Sequence, residues 1–294
     1  MTRYSIRELE KLSGIKAHTI RIWEKRYKII KPSRTNTNIR YYCDSDLKKL
    51  LNIAILNRQG FRISNIAKMS DDEISKKVMS FSYSSNDVES QIEKLVIAMV
   101  DLDEAAFDKI LSNAIMHDGF EQTIIKLIFP FFEKIGVLWQ TGSINPAQEH
   151  FVSNLFRQKI MVAIDNLMIP DKENAKKFIL FLPENEFHEL GLLFYNYLIK
   201  KAGHSVIYLG SSVPIEDLSR TTEVIQADYL FTAITTSIKG MDIHTYIEEL
   251  SQNFPNQKIF ITGLQVRQKE DISLPPNVEE VFSPLKFSDK LRTI

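Results

Sequence analysis

A single cysteine, Cys43, is found among the 294 residues. One thiol excludes an internal disulfide framework and fits a reducing compartment. With no Cys or His cluster beside it, a structural zinc site has no ligands to draw on. Long apolar runs are also missing. No stretch approaches the roughly 20 residues needed to span a bilayer, and the opening MTRYSIRELE lacks the apolar core of a signal peptide. The expectation is a cytoplasmic protein without a membrane partner. Internal repeats and low-complexity tracts are absent, which argues against solenoids and disordered tails. Net charge is absent too, with 37 basic and 37 acidic side chains.

That balance hides an asymmetry. Residues 1–70 hold eight Lys and eight Arg against two Asp and three Glu, a net of +11, so the remainder carries −11. A basic first quarter on an acidic body is the electrostatic footprint of a domain that meets a polyanion. The 44% hydrophobic content supplies enough apolar mass for several cores, and the length suits two or three domains.

Three segments differ in pattern. Residues 1–70 read as short helices broken by turns. Residues 71–170 carry helical periodicity, as in Ile92, Leu95, Val96, Met99 and then Phe107, Ile110, Leu111, Ile115. From about residue 176, the runs KKFILFLP, HSVIYLG, DYLFTAIT and KIFITGLQV are short, apolar and rich in Val, Ile and Phe, as buried parallel strands are. Helical stretches alternate with them, which indicates an α/β layer with a parallel sheet. A linker is expected through DKENAKK (171–177), with a weaker break at SYSSND (82–87).

In the first segment Ser5 is a good N-cap for a helix whose Ile6, Leu9 and Leu12 share one face. Gly14 supplies a turn, and AHTIRIWEKRY follows with Ile20 and Trp23 inward. His18, Thr19, Arg21, Lys25 and Arg26 are left over the outer surface and ends. Helix, Gly-containing turn and basic helix is the arrangement that puts a recognition helix into a DNA major groove. KPSRTNTNIRYY then suits a β-hairpin wing whose Arg34 and Arg40 would contact phosphates. A second pair of helices, with Gly60 at its turn, is expected in DLKKLLNIAILNRQGFRISNIAKM.

TIRIWEKRY, KPSRT and IRYYCDSDLKKL resemble the DNA-binding domain of MerR-family regulators. The family usually has Gly in the wing just before the Arg. Here Asn38 and Ile39 stand there, and Asn tolerates the left-handed backbone such a turn needs.

In the third segment His188 falls where the first strand gives way to a helix. Ligands of open parallel sheets bind beyond the carboxyl ends of the strands, near the reversal of strand order. Glu186 is placed to accept the imidazole's other N–H, as the partners of metal-ligating histidines do. Gly191 leaves room for a large flat ligand. Glu186-x-His188-x-x-Gly191 resembles the Asp-x-His-x-x-Gly signature of cobalamin-binding domains. The resemblance implies that His188 is the lower axial ligand of cobalt and Glu186 its hydrogen-bond partner. It also implies a slot for the displaced nucleotide tail, where Thr235 and Gly263 stand in for a Ser-x-Leu strand end and a Gly-Gly turn. The chain has Thr235-Thr236-Ser237 and Thr262-Gly263 there.

The middle segment reads as four helices. Trp139 closes the third, and Asn145-Pro146 opens the fourth, with Pro favourable in a first helical turn. Trp139, Glu149 and His150 resemble the Trp-x9-Glu-His motif of cobalamin-dependent MerR regulators that bind 5′-deoxyadenosylcobalamin. By that resemblance all three contact the upper ligand.

The full resemblance is to MerR-family regulators with a C-terminal cobalamin-binding domain, of the light-dependent adenosylcobalamin repressor type. It implies a multi-domain α and α/β chain. A winged helix-turn-helix occupies 1–75, a four-helix cobalamin-binding cap bundle 85–170, and a Rossmann-like (flavodoxin-like) parallel sheet 175–294. It implies a non-enzymatic repressor that self-associates as a dimer or tetramer and binds double-stranded operator DNA. Adenosylcobalamin would bridge cap and sheet domain, and light would break its cobalt–carbon bond. Two alternatives differ in class: a cofactor-free MerR-type regulator with a degenerate sensor acting through a protein partner, and a corrinoid methyl-transfer or mutase subunit. The latter has no need of the basic first 70 residues.

Overall fold

The protein is described from a computed structural model covering residues 3–35, 38–80, 88–140, 144–168, 174–238, 241–267 and 273–294, with backbone alone at 79–80 and 137–140. It divides into two compact units, Met1–Leu155 and Phe156–Ile294. The expected break at 82–87 lies outside the described residues, as does part of the expected linker, at 171–173.

The first unit opens with α1 (Ile6–Ser13). Ser5 and Glu8 form a reciprocal capping box, and Gly14 stops the helix at φ 70°. Then α2 (Ala17–Tyr27) buries Ile20 and Trp23. The wing is an antiparallel pair, β1 (Ser33–Arg34) and β2 (Arg40–Tyr41), with Arg34 opposite Arg40. Asn38 takes φ 64°, the left-handed conformation expected where the family has Gly. Next comes α3 (Asp44–Arg58), which buries Leu47, Leu50, Leu51 and Ile53 through Leu56. The second helix of the pair, α4 (Ile63–Ile66), is only one turn long. Ser70 and Glu73 exchange hydrogen bonds in a fresh N-cap soon after, so the chain restarts as α5 (Asp71–Ser80) instead of extending α4.

The bundle begins with α6 (Val88–Asp101) and α7 (Glu104–Asp118). Its third rod consists of α8 (Phe120–Thr123), a π-helical stretch over Ile124–Ile128, and α9 (Phe129–Gln140). The last helix is α10 (Pro146–Asp165), which runs on into the second unit. Asn145 accepts at its side chain from the Ala147 N–H at 3.0 Å, as an N-cap should. Ile92, Leu95, Val96, Met99, Phe107 and Leu111 are buried and Ile110 and Ile115 half-buried, so most of the helical periodicity marks a real core.

The second unit alternates strand and helix: β3 (Lys177–Pro183), α11 (Leu190–Lys201), β4 (Ser205–Val213), α12 (Ile215–Val224), β5 (Tyr229–Ala233) and α13 (Ile243–Asn253). It ends with β6 (Lys258–Thr262), α14 (Leu264–Arg267), β7 (Val278–Glu280) and α15 (Pro284–Leu291). The sheet is parallel in the order β4-β3-β5-β6-β7. Numbered within the unit this is 2-1-3-4-5, the flavodoxin-like order, whose switch point lies between the first and third strands. The expected fold class is therefore the observed one. Phe178 through Leu182 are fully buried, which explains why β3 is apolar at every position instead of alternating. His204, also buried, accepts from the Lys176 N–H at Nδ1 (3.1 Å) and donates from Nε2 to the Leu291 carbonyl (2.8 Å), tying α15 to the start of the sheet.

Candidate cobalamin site and nucleic-acid interface

On α2, His18, Arg21, Lys25 and Arg26 are exposed and Thr19 half-buried, on the side away from Ile20 and Trp23. The Thr19 hydroxyl lies 3.3 Å from His18 Nε2. Arg34 and Arg40 are exposed on the two strands of the wing. Asn38 has a role beyond its backbone: its side-chain oxygen accepts from the Arg34 guanidinium at 2.6 Å. The residue that permits the turn also holds the arginine.

In the second unit β3 and β5 lie side by side, and the chain leaves both at the switch point. Glu186 joins the two exits. Its Oε1 accepts from the N–H groups of Phe187 (2.9 Å) and His188 (3.0 Å) and lies 2.6 Å from His188 Nδ1. Its Oε2 accepts from the N–H groups of Thr235 (2.9 Å) and Thr236 (2.7 Å) and from the Thr236 hydroxyl (3.0 Å). Burial acts to raise its pKa, but the bonds from the His188 ring, Thr236 and the His188 backbone outweigh it, leaving the carboxyl at about 2. Glu186 is buried, whereas the His188 side chain is 60% exposed. An anchored anion therefore presents an imidazole at the mouth of the sheet, with Nδ1 committed to the carboxylate. A metal would be met through Nε2.

There is open space beside the pair. A Cβ added at Gly191 would meet nothing within 4 Å, so that side of α11 is open. A cavity of about 210 Å³ lies between segment 184–186 after β3 and segment 234–238 after β5. Gly263 is required by packing. At φ 116° its Cβ would stand 2.2 Å from the Ile234 carbonyl oxygen, so the turns after β5 and β6 pack backbone to backbone. Next to His188, Glu189 is braced by Arg157 at 2.9 Å and by the Tyr208 hydroxyl at 3.4 Å.

The remaining candidates belong to the first unit. Trp139 falls in the last turn of α9, where only backbone is described. Glu149 and His150 lie in the first turns of α10. His150 is exposed, with Nε2 3.7 Å from the Glu149 carboxylate, which also accepts from the Ser153 hydroxyl. Reading the sequence missed the role of Thr236, which contributes two donors to Glu186, and the arginine clamp of Asn38. The run Thr235-Thr236-Ser237 was a visible signal, but which of the three faces Glu186 depends on the register of β5 against β3.

Among the described residues no three His, Cys, Asp or Glu side chains converge as a metal cage would, and no helix is long and apolar enough to cross a membrane. A cobalt already ringed by a corrin needs one protein ligand, not a cage. A basic helix-turn-helix with a wing, joined to a sheet that offers a carboxylate-backed histidine, defines a DNA-binding regulator with a cobalamin-binding module. The family of MerR helix-turn-helix regulatory proteins matches residues 4–73, and the B12 binding domain family matches residues 91–163.

The chain is thus a MerR-type, B12-dependent transcriptional regulator, homologous to the HTH-type transcriptional repressors CarH and CarA of Myxococcus xanthus. It is 25% identical to CarH over 92% of this chain and 91% of CarH. It is 21% identical to CarA over 90% of this chain and 87% of CarA. Among solved structures, the monomethylamine corrinoid protein of Methanosarcina barkeri aligns with 70% of this chain and 98% of its own. The TM-score is 0.55 and the identity 15%, a likeness of fold alone. These relatives, matched over 90% or more of the chain, are named as repressors, which sets the chain apart from corrinoid enzymes.

Proposed function

We propose that the chain is a cytoplasmic repressor whose self-association and operator affinity are set by bound adenosylcobalamin, with light as the signal that removes it from DNA. The observation that carries this reading is the Glu186–His188 pair at the switch point of the sheet. The substitution of Glu for the family's Asp does not break the pair, because the longer arm still reaches Nδ1 at 2.6 Å. That geometry favours a working cofactor site over a degenerate one.

Adenosylcobalamin, when bound, would supply a cobalt that takes a protein ligand and a carbon–metal bond that light can cleave. His188 would hold the cobalt through Nε2, with Glu186 fixing its tautomer and orientation. The open side of Gly191 would admit the ring, and Thr235 and Gly263 would line the slot for the nucleotide tail. Trp139, Glu149 and His150 would contact the upper ligand, and Trp139 would lose its packing partner on illumination. Differential contacts of this kind are what a two-state switch requires. The division of labour follows the proposed boundaries: DNA reading in 1–75, the cap in 85–170 and the lower-face site in 175–294. Self-association would place several DNA-binding domains on one operator, and such linkage multiplies affinity without new contacts.

Absorbance tests the reading. Protein mixed with adenosylcobalamin in the dark and desalted should be coloured, and illumination should change its spectrum. His188→Ala should lose or shift that spectrum. In the dark the loaded protein should retard a duplex selected from a randomised pool and release it after light. A colourless desalted protein would overturn the cofactor reading and favour a cofactor-free regulator. Unchanged retention of DNA after illumination would overturn the light response alone.

A further inference from the structure

The DNA-facing side of α2 carries one residue that basic chemistry does not explain. Ile22 is 53% exposed, although α2 buries its apolar Ile20 and Trp23 on the other side. Residues three and four apart share a helix face. Ile22 is therefore flanked by His18 at i−4, Lys25 at i+3 and Arg26 at i+4, with Arg21 beside it, all of them exposed. Single exposed apolar residues are ordinary on protein surfaces. What sets this one apart is its position inside the cationic face of the helix that would enter the groove. A β-branched residue on a solvent face also does nothing for helix stability, since Ile lies below Ala, Leu, Lys and Glu in helix propensity.

The major groove offers one apolar group on its floor, the 5-methyl of thymine, and apolar side chains are the groups that recognise it. The surrounding cations would hold the helix to phosphates without telling one sequence from another. We propose that Ile22 is a specificity-determining residue that packs on a thymine 5-methyl of the bound duplex. His18, Arg21, Lys25 and Arg26 position it there. The inference rests on the DNA-binding reading, and the complementary charge of the face commits it to duplex DNA as the occupant. Burial of one methyl against Ile22 corresponds to roughly a fourfold gain in affinity.

The test removes that methyl and nothing else. A duplex selected from a randomised pool by the full-length protein is remade with deoxyuridine in place of each thymidine in turn. The wild type should bind roughly fourfold more weakly at one or a few positions, because uracil lacks only the 5-methyl. Ile22→Ala should bind the thymine and uracil duplexes equally at those positions, with its salt dependence unchanged because the phosphate contacts remain. Met116→Ala, an exposed apolar control on α7, should keep the wild-type profile. The proposal is overturned if no uracil position weakens the wild type, or if Ile22→Ala retains the same uracil penalty. Failure of the full-length protein to select any duplex would instead overturn the DNA-binding reading, and this proposal with it.

Discussion

Two carboxylates, one in each unit, are both almost fully covered and hold their protons in opposite ways. Glu186 in the sheet unit and Glu93 on α6 are 3% and 0% exposed. Glu186 is depressed to about 2, whereas Glu93 is pushed up to about 7. Burial raises both, more for the deeper Glu93, and only at Glu186 do enough donors arrive to outweigh it. Glu186 meets donors at both oxygens, from two separate loops. Glu93 pairs through Oε2 with Arg58 on α3, and its Oε1 has no hydrogen-bond partner among the described residues. One site is built to keep an anion, which suits a group that must hold an imidazole. The other joins α3, which follows the wing, to the bundle's α6 with a group that takes up a proton readily.

The strongest way to break this contrast is Glu186→Gln. An amide places N–H groups against some of the donors that the carboxylate accepts. The loss of unfolding stability at neutral pH should be ~3 kcal/mol. Because the folded pKa is lowered, the stability that Glu186 supplies is present above about pH 4.5 and lost as pH falls toward about 2. The variant should therefore lack that acid-side decline in urea titrations. A loss well under 1 kcal/mol would mean that the two loops hold together without the anion.

Arg58→Met comes next and tests the other carboxylate. Removing the guanidinium leaves Glu93 to be buried either charged or protonated. The expected loss is ~2–3 kcal/mol at about pH 8 and clearly less at about pH 5, where the carboxyl takes up a proton. The sign follows from the raised folded pKa. The stability associated with protonated Glu93 is full below about pH 4.5 and fades as pH rises through about 7. Equal losses at both pH values would show that Arg58 matters for packing and not for charge.

Thr236→Val is the mildest change. It deletes the hydroxyl donor to Glu186 and keeps the backbone N–H, so the expected cost is about 0.5–1 kcal/mol. Its sharper readout is the absorbance of the cobalamin-loaded protein, which should shift slightly if Thr236 helps to aim His188 through Glu186. An unchanged spectrum with reduced stability would confine Thr236 to a structural role.

Much of the architecture was legible along the chain. The apolar runs at 178–182 and 259–261 are unbroken because both faces of a parallel sheet are covered, and that separates them from the helices of the first unit. Asn38 was readable as the wing's left-handed residue because few other side chains tolerate that conformation. Less was legible where partners are distant in sequence. Thr236 lies 50 residues from Glu186, and no local pattern pairs them. The one-turn length of α4 was also hidden, because it depends on a competing cap at Ser70 and Glu73.

Local chemistry in the sequence determined the class of elements, the basic reading helix with its wing, and the Glu-x-His pair, since two residues of separation suffice to bring that carboxylate to that ring. Only the tertiary structure decided that the pair sits at the strand-order reversal, that a second loop locks the carboxylate as an anion, and that another covered glutamate, Glu93, keeps its proton nearly to neutrality. Those outcomes depend on how many donors arrive from remote parts of the chain, and spacing along a sequence does not record that number.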